Sequence, residues 1–546
     1  MAAHDAYEQY LLELINRARL DPASELARYN SAVASGAYSG TSLTNLNSGL
    51  APGTISGAAL QVLAPSSSLE LASSRHSQHM LAVDRFAHSG IGDGDVGTRA
   101  VGAGYNFNWL GENISWSGTT GTINVLKTIQ DHHFGLFRSD GHRSNLMNAS
   151  FSEGGMAREI GQYTQGGTTY NASMLTEMFG TRTGAVFVTG VVYSDTDNDR
   201  FYSIGEGAGG VSISSGISTV SASAGGYGLQ LTVGLKTIAI GGAIVKLNIA
   251  GDNIKLDLVS GNKIHVSGNV ELVSGVVEVN LLGVANLTAT GAAGAQTLNG
   301  NRGNNTLNGM DGADRLFGLA GNDTLNGGLG NDLLVGGAGI DIINGGDGID
   351  SAYYYSSAAA VVVNLATGIV SGGEAAGDRL TSIENVYGSN IGADTLTGNT
   401  LANSLYGFGG GDILNGGLGN DALLGGLGND RLTGGAGSDT FYFNTALNAV
   451  TNLDVITDFN VIDDTIRLEN TGIFAALGVA TGVLNVAMFK DLGVAGAVLD
   501  ADDRIIYNRN TGVLLYDIDG SGILGSTQFA TLTVHPALTN ADFVVF

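Results

Sequence analysis

The sequence contains no cysteine and only 4 prolines in 546 residues. Without cysteine, the chain has neither a disulfide framework nor a thiolate metal site. Basic residues are also scarce, because 24 Lys and Arg stand against 50 Asp and Glu, for a formal net charge of −26. This charge argues against nucleic acid or an anionic membrane surface as a partner. Clustered carboxylates in a folded chain instead favour bound cations.

Long apolar runs are missing as well. No uninterrupted apolar segment reaches the roughly 20 residues of a transmembrane helix. The N-terminal stretch "MAAHDAYEQYLLELINRAR" has no basic region before an apolar core and no small-residue cleavage site, so we interpret it as an amphipathic helix and not as a signal peptide. Generic disorder is also disfavoured, because 43% of the residues are hydrophobic.

Glycine is abundant, with 86 residues, and in the C-terminal half it recurs with Asp and Leu at a period of nine. In a first array, the units begin at Gly300, Gly309, Gly318, Gly327, Gly336 and Gly345. In a second array, two degenerate units begin at Ser389 and Gly398, followed by regular units from Gly407, Gly416, Gly425 and Gly434. A flexible glycine-rich linker would not keep Gly, Asp and Leu in one register.

The order of residues within a unit has a physical explanation. Glycines allow six residues to form a tight turn, and the last three residues form a short strand whose eighth position points inward. The predicted inward residues are Leu316, Leu325, Leu334, Ile343, Leu396, Leu405, Leu414, Leu423, Leu432 and Phe441. The sixth position supplies a carboxylate, and calcium prefers six to eight oxygen ligands of this kind.

The candidate calcium ligands of the repeats are therefore Asp314, Asp323, Asp332, Asp341, Asp350, Asp394, Asp412, Asp421, Asp430 and Asp439. Asn305 and Asn403 replace Asp in two units, which predicts weaker or absent sites there. Asp350 ends the first array, so we expect it to lack a neighbouring turn that would complete its ion.

These repeats resemble the repeats-in-toxin (RTX) module, a parallel β-roll of proteins exported by bacterial type I secretion. The insert at 361–389 is similar to segments between RTX arrays, and residues 439–469 resemble the C-terminal region of the serralysin type. The ending "ADFVVF" resembles an uncleaved C-terminal export signal. The resemblance implies a Gram-negative source, secretion to the extracellular space and the type I machinery as a partner.

The N-terminal region carries four separated motifs: "LLELINRAR", "DRFAHSG", "LGENISW" and "SDGHRSNLMNASFSEGGMAREIG". Their order resembles the CAP superfamily, or SCP-like extracellular domain, over nearly all of residues 5–182. Asp21-Pro22 predicts a helix N-cap followed by proline at the first helical position, and a further helix is predicted at 68–84. With strand-like segments such as "NASMLTEMFGTR", these helices predict an α+β domain of layered α-β-α type. The resemblance implies a cleft of two histidines and two acidic residues.

By this resemblance, the cleft candidates are His88, Glu112 and His142, with Asp131 as the second acid and His133 as its competitor. Two imidazoles and carboxylates could hold zinc or another divalent ion, with His88 and His142 as ligands. They could equally perform general acid–base chemistry, or they could only hold the cleft together through hydrogen bonds.

The middle region alternates apolar and polar residues and predicts an antiparallel β-sandwich. Within it, Asp195, Asp197, Asp199 and Glu206 have the spacing of a calcium loop, although Arg200 replaces the central glycine of an EF-hand and no helices flank it. The loop resembles those of SdrD B-type or carboxypeptidase-regulatory-like repeats. A solvated acidic turn is the alternative. Asp517–Gly522 is a weaker candidate of the same kind.

The predicted organisation is a CAP-like domain at 1–183, a sandwich at 185–260, a β connector at 261–298, arrays at 299–353 and 389–442 around an insert at 354–388, and an export-signal region at 443–546. The first functional hypothesis is a secreted calcium-binding protein whose CAP-like domain binds an extracellular lipid, glycan or protein. A secreted hydrolase is the second, although neither H-E-x-x-H nor G-x-S-x-G occurs. A surface or adhesive structural protein is the third.

Overall fold

The structure is a computed structural model that describes residues 5–478, 480–520 and 525–546. It divides into two compact units. The first comprises Met1–Ala292 with Asn301–Gly303, and the second comprises Ala293–Gly300 with Asn304–Phe546. Over the described ranges, none of the helices combines the length and the apolar character needed to cross a membrane.

The first unit begins with the six helices of the N-terminal domain. They are α1 (Ala6–Leu20), α2 (Pro22–Ala34), α3 (Ser67–Ala82), α4 (Val96–Gly102), α5 (Val125–Arg138) and α6 (Asp140–Leu146). Asp21 caps α2 and Pro22 occupies its first turn, as the sequence predicts. The helix predicted at 68–84 is α3, which Ser66 caps through the Leu69 amide.

A four-stranded sheet lies among these helices, which confirms the predicted α+β class. Its strands are β1 (Ala64–Pro65), β2 (Trp109–Thr119), β3 (Glu153–Gln165) and β4 (Thr168–Thr181), in the order β1-β3-β4-β2. The apolar face of α1, including Leu11 and Ile15, is fully buried in a core that also contains Leu175 and Phe179 of β4.

The rest of the first unit is built of short strands. They are β5 (Val186–Tyr193), β6 (Ser212–Ser214), β7 (Ser218–Val220), β8 (Gly226–Leu231), β9 (Gly234–Ile240), β10 (Ala243–Ile249), β11 (Ile254–Val259), β12 (Lys263–Val266), β13 (Val270–Ser274), β14 (Glu278–Leu281) and β15 (Thr288–Thr290). Most neighbouring pairs are antiparallel, as predicted, but β5 runs parallel to β11, β12 to β14 and β13 to β15. The pairing is therefore mixed.

The second unit is a roll of two sheets. Its strands are β16 (Thr297–Asn299), β17 (Thr306–Asp311), β18 (Arg315–Ala320), β19 (Thr324–Leu329), β20 (Leu333–Ala338), β21 (Ile342–Asp347), β22 (Ser351–Tyr353), β23 (Val362–Asn364), β24 (Ile369–Ser371), β25 (Arg379–Thr381), β26 (Asn385–Tyr387), β27 (Thr395–Thr397), β28 (Ser404–Gly409), β29 (Ile413–Leu418), β30 (Ala422–Leu427), β31 (Arg431–Ala436), β32 (Thr440–Phe443), β33 (Asp454–Ile456), β34 (Thr465–Leu468), β35 (Gly482–Val483), β36 (Phe489–Asp491), β37 (Ile505–Asn508), β38 (Val513–Tyr516), β39 (Thr527–Leu532) and β40 (Phe543–Val545).

Within each array, successive strands alternate between the two sheets, and repeat strands pair in parallel with the strand two further along the chain. The ten predicted inward residues are all buried, with at most 1% exposure, and they form the interior of the roll. The repeats therefore fold as the parallel β-roll that their period predicts.

The predicted organisation separates the two arrays by the insert at 354–388, but in the structure the insert does not interrupt the roll. Strand β25 pairs with β21, and β26 joins β22 to β28. The C-terminal region also joins both sheets, through β33 and β39 in one and through β34 and β40 in the other. The nine-residue register is lost in these segments, but the strand pairing continues.

Candidate functional sites

The repeat aspartates form a directional ladder along the roll. The backbone N–H of Asp314 donates to Oδ1 of Asp332, eighteen residues ahead, at 2.7 Å. The same bond joins Asp323 to Asp341 and Asp332 to Asp350 in the first array. In the second array it joins Asp394 to Asp412, Asp412 to Asp430 and Asp421 to Asp439. In each of these bonds, one carboxylate oxygen of the later aspartate holds the backbone of the turn eighteen residues earlier.

The other oxygen of nearly every ladder aspartate is buried and has no hydrogen-bond partner within the described part of the chain. This holds for Oδ2 of Asp314, Asp323, Asp332, Asp341, Asp350, Asp412, Asp421, Asp430 and Asp439. A buried carboxylate oxygen without a donor is costly unless a cation neutralises it. These nine oxygens therefore fit the predicted calcium ions.

Backbone oxygens lie beside these carboxylates. A Cβ atom added to Gly327 would lie 2.2 Å from Asp332 Oδ2 and 2.4 Å from the carbonyl oxygen of Gly345 in the next turn on that side. The first glycine of the unit therefore brings carboxylate and carbonyl oxygens of consecutive turns close together, which no residue with a Cβ permits. Carbonyl and carboxylate oxygens are the ligand set that calcium prefers.

Burial also changes the protonation of the ladder. Desolvation raises the pKa of Asp323 to about 7 and that of Asp412 to about 7, from 3.8. It raises the pKa of Asp314, Asp350, Asp421 and Asp430 to about 6. The charged form of these groups is disfavoured until a cation compensates for the lost hydration.

Asp394 departs from this pattern although its position in the repeat is regular. Its Oδ2 accepts the Ser389 N–H at 2.7 Å, and its Oδ1 accepts the Ser389 hydroxyl and the Val361 N–H, both at 2.8 Å. Protein donors occupy both oxygens, so the geometry does not support Asp394 as a calcium ligand.

We therefore expect Asp394→Asn to leave the number of bound calcium ions unchanged, whereas Asp421→Asn loses at least one ion. The amide oxygen introduced by Asp394→Asn can still accept the Ser389 N–H, but an amide cannot supply the charge that the free Oδ2 of Asp421 provides. Native mass spectrometry of the full chain in calcium measures both counts. An equal loss in the two variants would contradict this distinction.

Four further acids outside the repeats continue the ladder at its ends, and they were not predicted from the sequence. Oδ1 of Asp378 accepts the Asp341 N–H, and Oε2 of Glu384 accepts the Asp350 N–H. Beyond the second array, Asp454 and Asp464 accept the N–H groups of Asp430 and Asp439. Each of the four acids precedes a buried aliphatic residue by two positions, as in a repeat, and that spacing is the signal that could have found them.

The cleft of the N-terminal domain brings together three of the predicted residues. His88 Nδ1 lies 2.9 Å from Oε1 of Glu112, and the rings of His88 and His142 are 6.3 Å apart. The Glu112 side chain is 4% exposed and that of His88 is 54% exposed. Burial and the neighbouring His88 lower the pKa of His142, so its imidazole is neutral near pH 7.

The "GEN" motif positions this cleft. Asn113, on β2, donates to the backbone carbonyl of His142 at 3.3 Å, and Asn145, on α6, donates to the carbonyl of Glu112 at 3.2 Å. These two bonds fix α6 against β2, and they hold the histidine and the glutamate at a defined separation.

Three polar residues near His88 were not predicted from sequence, and two of them, His76 and Arg99, are buried. Arg99 forms an ion pair with Oε2 of Glu112 and donates to the His88 carbonyl at 3.1 Å. His76 Nδ1 lies 2.6 Å from Asp93 Oδ2, and Asp93 Oδ1 lies 3.6 Å from Arg99. The acid that accompanies Glu112 in this cluster is therefore Asp93.

The structure does not place Asp131 in the cleft, and this corrects the prediction. Its carboxylate accepts from Lys127, one turn earlier on α5, at 2.7 Å. The competitor His133 is buried elsewhere, with Nε2 at 2.8 Å from Glu25 Oε1. Between them on α5, His132 is the residue that bonds to β2, with its Nδ1 2.8 Å from the Ser115 hydroxyl.

The geometry does not support zinc in the cleft. Both oxygens of Glu112 already have partners, and one of them is a guanidinium, whose positive charge opposes a cation. Among the residues that the structure describes, only Asp195, Asp197 and Asp199 form a group of three or more His, Asp or Glu side chains with ligand atoms within 4.8 Å of one another.

That group is the acidic loop predicted in the middle region. Oδ1 of Asp195 is buried and lacks a hydrogen-bond partner in the described ranges, and Arg200, at the glycine position of an EF-hand, has φ of 62°. Glu206 is not in the group, because it accepts from Thr196 and from the Ser203 N–H and so closes the loop. The end of the Asp517–Gly522 candidate lies outside the described residues.

Comparisons with known proteins agree with both halves of this description. The model of the cysteine-rich secretory protein family, CAP, matches residues 12–174. The model of the RTX calcium-binding nonapeptide repeat matches 290–325, 317–352, 389–423 and 419–445. No curated protein matches the chain.

Two solved structures are similar over parts of the chain. An extracellular protein containing an SCP domain from Bacillus anthracis str. Ames is 23% identical, with a TM-score of 0.17, over 22% of this chain and 35% of its own. The extracellular lipase LipA from Serratia marcescens is 16% identical, with a TM-score of 0.16, over 51% of this chain and 42% of its own. This chain therefore covers less than half of either structure.

The two family matches indicate a secreted calcium-binding repeat protein, and the structure gives it an N-terminal α/β domain and a calcium ladder. That domain is a CAP domain, here without cysteine, and the repeats are RTX nonapeptides.

Proposed function

We propose that the protein is exported by a type I system of a Gram-negative bacterium and that its CAP domain then binds an extracellular lipid, glycan or protein. The calcium ladder supports the export route, because its buried carboxylates destabilise the roll without cations. Extracellular calcium modules have Kd values of roughly 10⁻⁴–10⁻³ M, so the chain stays unfolded in a low-calcium cytosol and folds outside.

The export step is tested by expressing the full chain in a bacterial host with and without a type I exporter. We expect the protein in the medium only when the exporter is present. Equal amounts in the medium without the exporter would reject this route.

The cleft carries the ligand-binding proposal. Buried Glu112 and Arg99 hold the half-exposed His88 in one orientation, while His142 presents a neutral imidazole nearby. Ligand sites commonly achieve specificity through a few polar side chains that are held in fixed positions. In this cleft, buried Glu112 and Arg99 would fix the accessible ring of His88.

We expect the double substitution His88→Ala and His142→Ala to weaken ligand binding at least about tenfold, which corresponds to one lost hydrogen bond of about 1.4 kcal/mol. The calcium-loaded full chain is tested on a glycan array and on phosphatidylcholine–cholesterol vesicles. Asp131→Asn is the matched control, since Asp131 pairs with Lys127 outside the cleft. Unchanged binding in the double variant would rule out this cleft as the ligand site.

A hydrolase is the second candidate, and the His88–Glu112 hydrogen bond favours it. A carboxylate on Nδ1 orients an imidazole so that Nε2 is free to transfer protons, and general acid–base groups contribute about 10²–10⁴-fold. Casein and p-nitrophenyl ester assays of wild type and Glu112→Gln test this alternative. Absence of activity in the wild type would reject it.

The acidic loop supports a further calcium ion in the middle region. Asp195, Asp197 and Asp199 converge, and the buried Oδ1 of Asp195 needs a positive partner. This ion would hold the turn that leads from β5 to Tyr202, a buried residue of the first unit.

A further inference from the structure

Strand β26 of the insert at 354–388 keeps the strand-to-strand spacing of the roll, although the insert lies outside the residues that match the nonapeptide repeat. Tyr353, Tyr387 and Tyr406 lie on neighbouring strands, and their rings stack in parallel with centroids 3.9 Å and 4.2 Å apart. Such stacking requires that β26 occupies the position that a repeat strand would take. The residues that precede β26 therefore stand where the turn of a repeat would be.

At this position the insert reproduces the oxygen environment of a repeat. In the regular turn, a Cβ on Gly327 would meet Asp332 Oδ2 at 2.2 Å and the Gly345 carbonyl oxygen at 2.4 Å. In the last turn of the first array, a Cβ on Gly345 would meet Asp350 Oδ2 at 2.4 Å and the Ser382 carbonyl oxygen at 2.0 Å. The backbone of the insert has replaced that of the missing repeat.

The carboxylates are replaced in the same way. Glu384 Oε2 accepts the Asp350 N–H at 2.9 Å, a bond that an aspartate eighteen residues ahead makes elsewhere in the array. Asp350 is fully buried, and its Oδ2 has no partner among the residues described. The expectation that Asp350 lacks a neighbouring turn is therefore wrong.

From this geometry we propose that Asp350 of the last repeat, together with Glu384 and the Ser382 carbonyl of the insert, forms a calcium site that the nonapeptide period alone does not predict. It rests on the calcium binding of the repeats themselves, because it uses the same ligand chemistry. Glu384 carries one more methylene than aspartate, and the longer side chain reaches the Asp350 N–H from a turn of only three residues, 382–384.

In the sheet that contains β21 and β25, the ladder of the first array ends at Asp378, and protein donors bond to both oxygens of this acid. Oδ1 of Asp378 accepts the Asp341 N–H, but its Oδ2 accepts the buried Tyr354 hydroxyl at 3.1 Å. Ser389 satisfies Asp394 in the same way at the start of the second array. Hydroxyl and amide groups take the place of an ion at these two acids, whereas Asp350 has no such donor in the described structure.

The test compares calcium binding by the full chain and by Glu384→Gln, by native mass spectrometry across a calcium titration. The amide oxygen of the introduced glutamine can still accept the Asp350 N–H, but the substitution removes the charge, so we expect one fewer ion. Glu374→Gln is the matched control, because Glu374 lies in the same insert and bonds to the Ser356 hydroxyl, outside the ladder. We expect it to keep the wild-type count.

An unchanged count in Glu384→Gln would overturn the proposal, and so would an equal loss in Glu374→Gln. A wild type that binds no calcium would instead reject calcium binding by the repeats. Circular dichroism in calcium shows whether Glu384→Gln folds. If it does not, Glu384→Asp replaces it, and we expect that shorter carboxylate to weaken the last ion by at least about fivefold; wild-type affinity would overturn the site.

Discussion

Removal of calcium at pH 7.5 is expected to abolish most of the strand signal of the second unit. An ion at a free concentration of about one hundred times its Kd stabilises a fold by about 2.7 kcal/mol. Nine free carboxylate oxygens among the described residues of the ladder imply several such ions, whose sum is comparable with the roughly 5–15 kcal/mol by which a domain is typically stable. Far-UV circular dichroism of the full chain before and after chelation measures the loss. A spectrum unchanged by chelation would contradict it.

The same experiment has a pH dependence with a definite sign. Burial raises the pKa of Asp323 from 3.8 to about 7, so the calcium-free roll binds more protons than the unfolded chain between these values. Stability therefore falls as pH rises through that window. We expect the calcium-free roll to keep more strand signal at pH 4 than at pH 7.5. Calcium should abolish the difference, because the ion then neutralises the carboxylates.

Replacing Gly416 by alanine is expected to lower the unfolding free energy in calcium by several kcal/mol. The added Cβ would lie 2.2 Å from Asp421 Oδ2 and 2.5 Å from the Gly434 carbonyl oxygen. Overpacking of this kind costs about 1–3 kcal/mol. Displacement of the carboxylate also removes the contribution of its ion, about 2.7 kcal/mol at one hundred times Kd. Urea unfolding of the full chain at saturating calcium measures the change.

Gly411→Ala is the control for this substitution, five residues earlier in the same array. The Cβ that it adds meets nothing closer than the Asn429 carbonyl oxygen at 3.4 Å, an ordinary contact. We expect a change within about 0.5 kcal/mol. If both variants unfold at the same urea concentration, close approach at the first glycine does not matter for the roll.

The regularity of the chain determines how much of its fold can be predicted from the sequence. Where the period of nine holds, glycine, aspartate and leucine each have one structural role, so all ten inward residues were predicted correctly. Asp394 shows the limit of this reasoning. Its place in the repeat is regular, but its unit begins with Ser389 in place of glycine, and the period alone does not predict that the hydroxyl and amide of this serine bond to the carboxylate.

The CAP cleft shows a different limit. Short motifs located His88, Glu112 and His142, because each lies in a phrase typical of the family. The buried Arg99 that pairs with Glu112 lies on α4, and Asp93 precedes that helix, in segments without such a phrase. Asp131 was chosen for its place in the sequence, but the helical face on which it lies directs it to Lys127.

The ladder of N–H donors also gives the roll a direction of assembly. Each turn donates to a carboxylate that lies eighteen residues nearer the C-terminus, so no turn is fixed before later residues arrive. The last two acceptors, Asp454 and Asp464, lie beyond the final repeat. The last acceptors of the first array, Asp378 and Glu384, lie in the insert. During synthesis, which proceeds from the N-terminus, each array must therefore wait for the segment that follows it before its last turns are fixed.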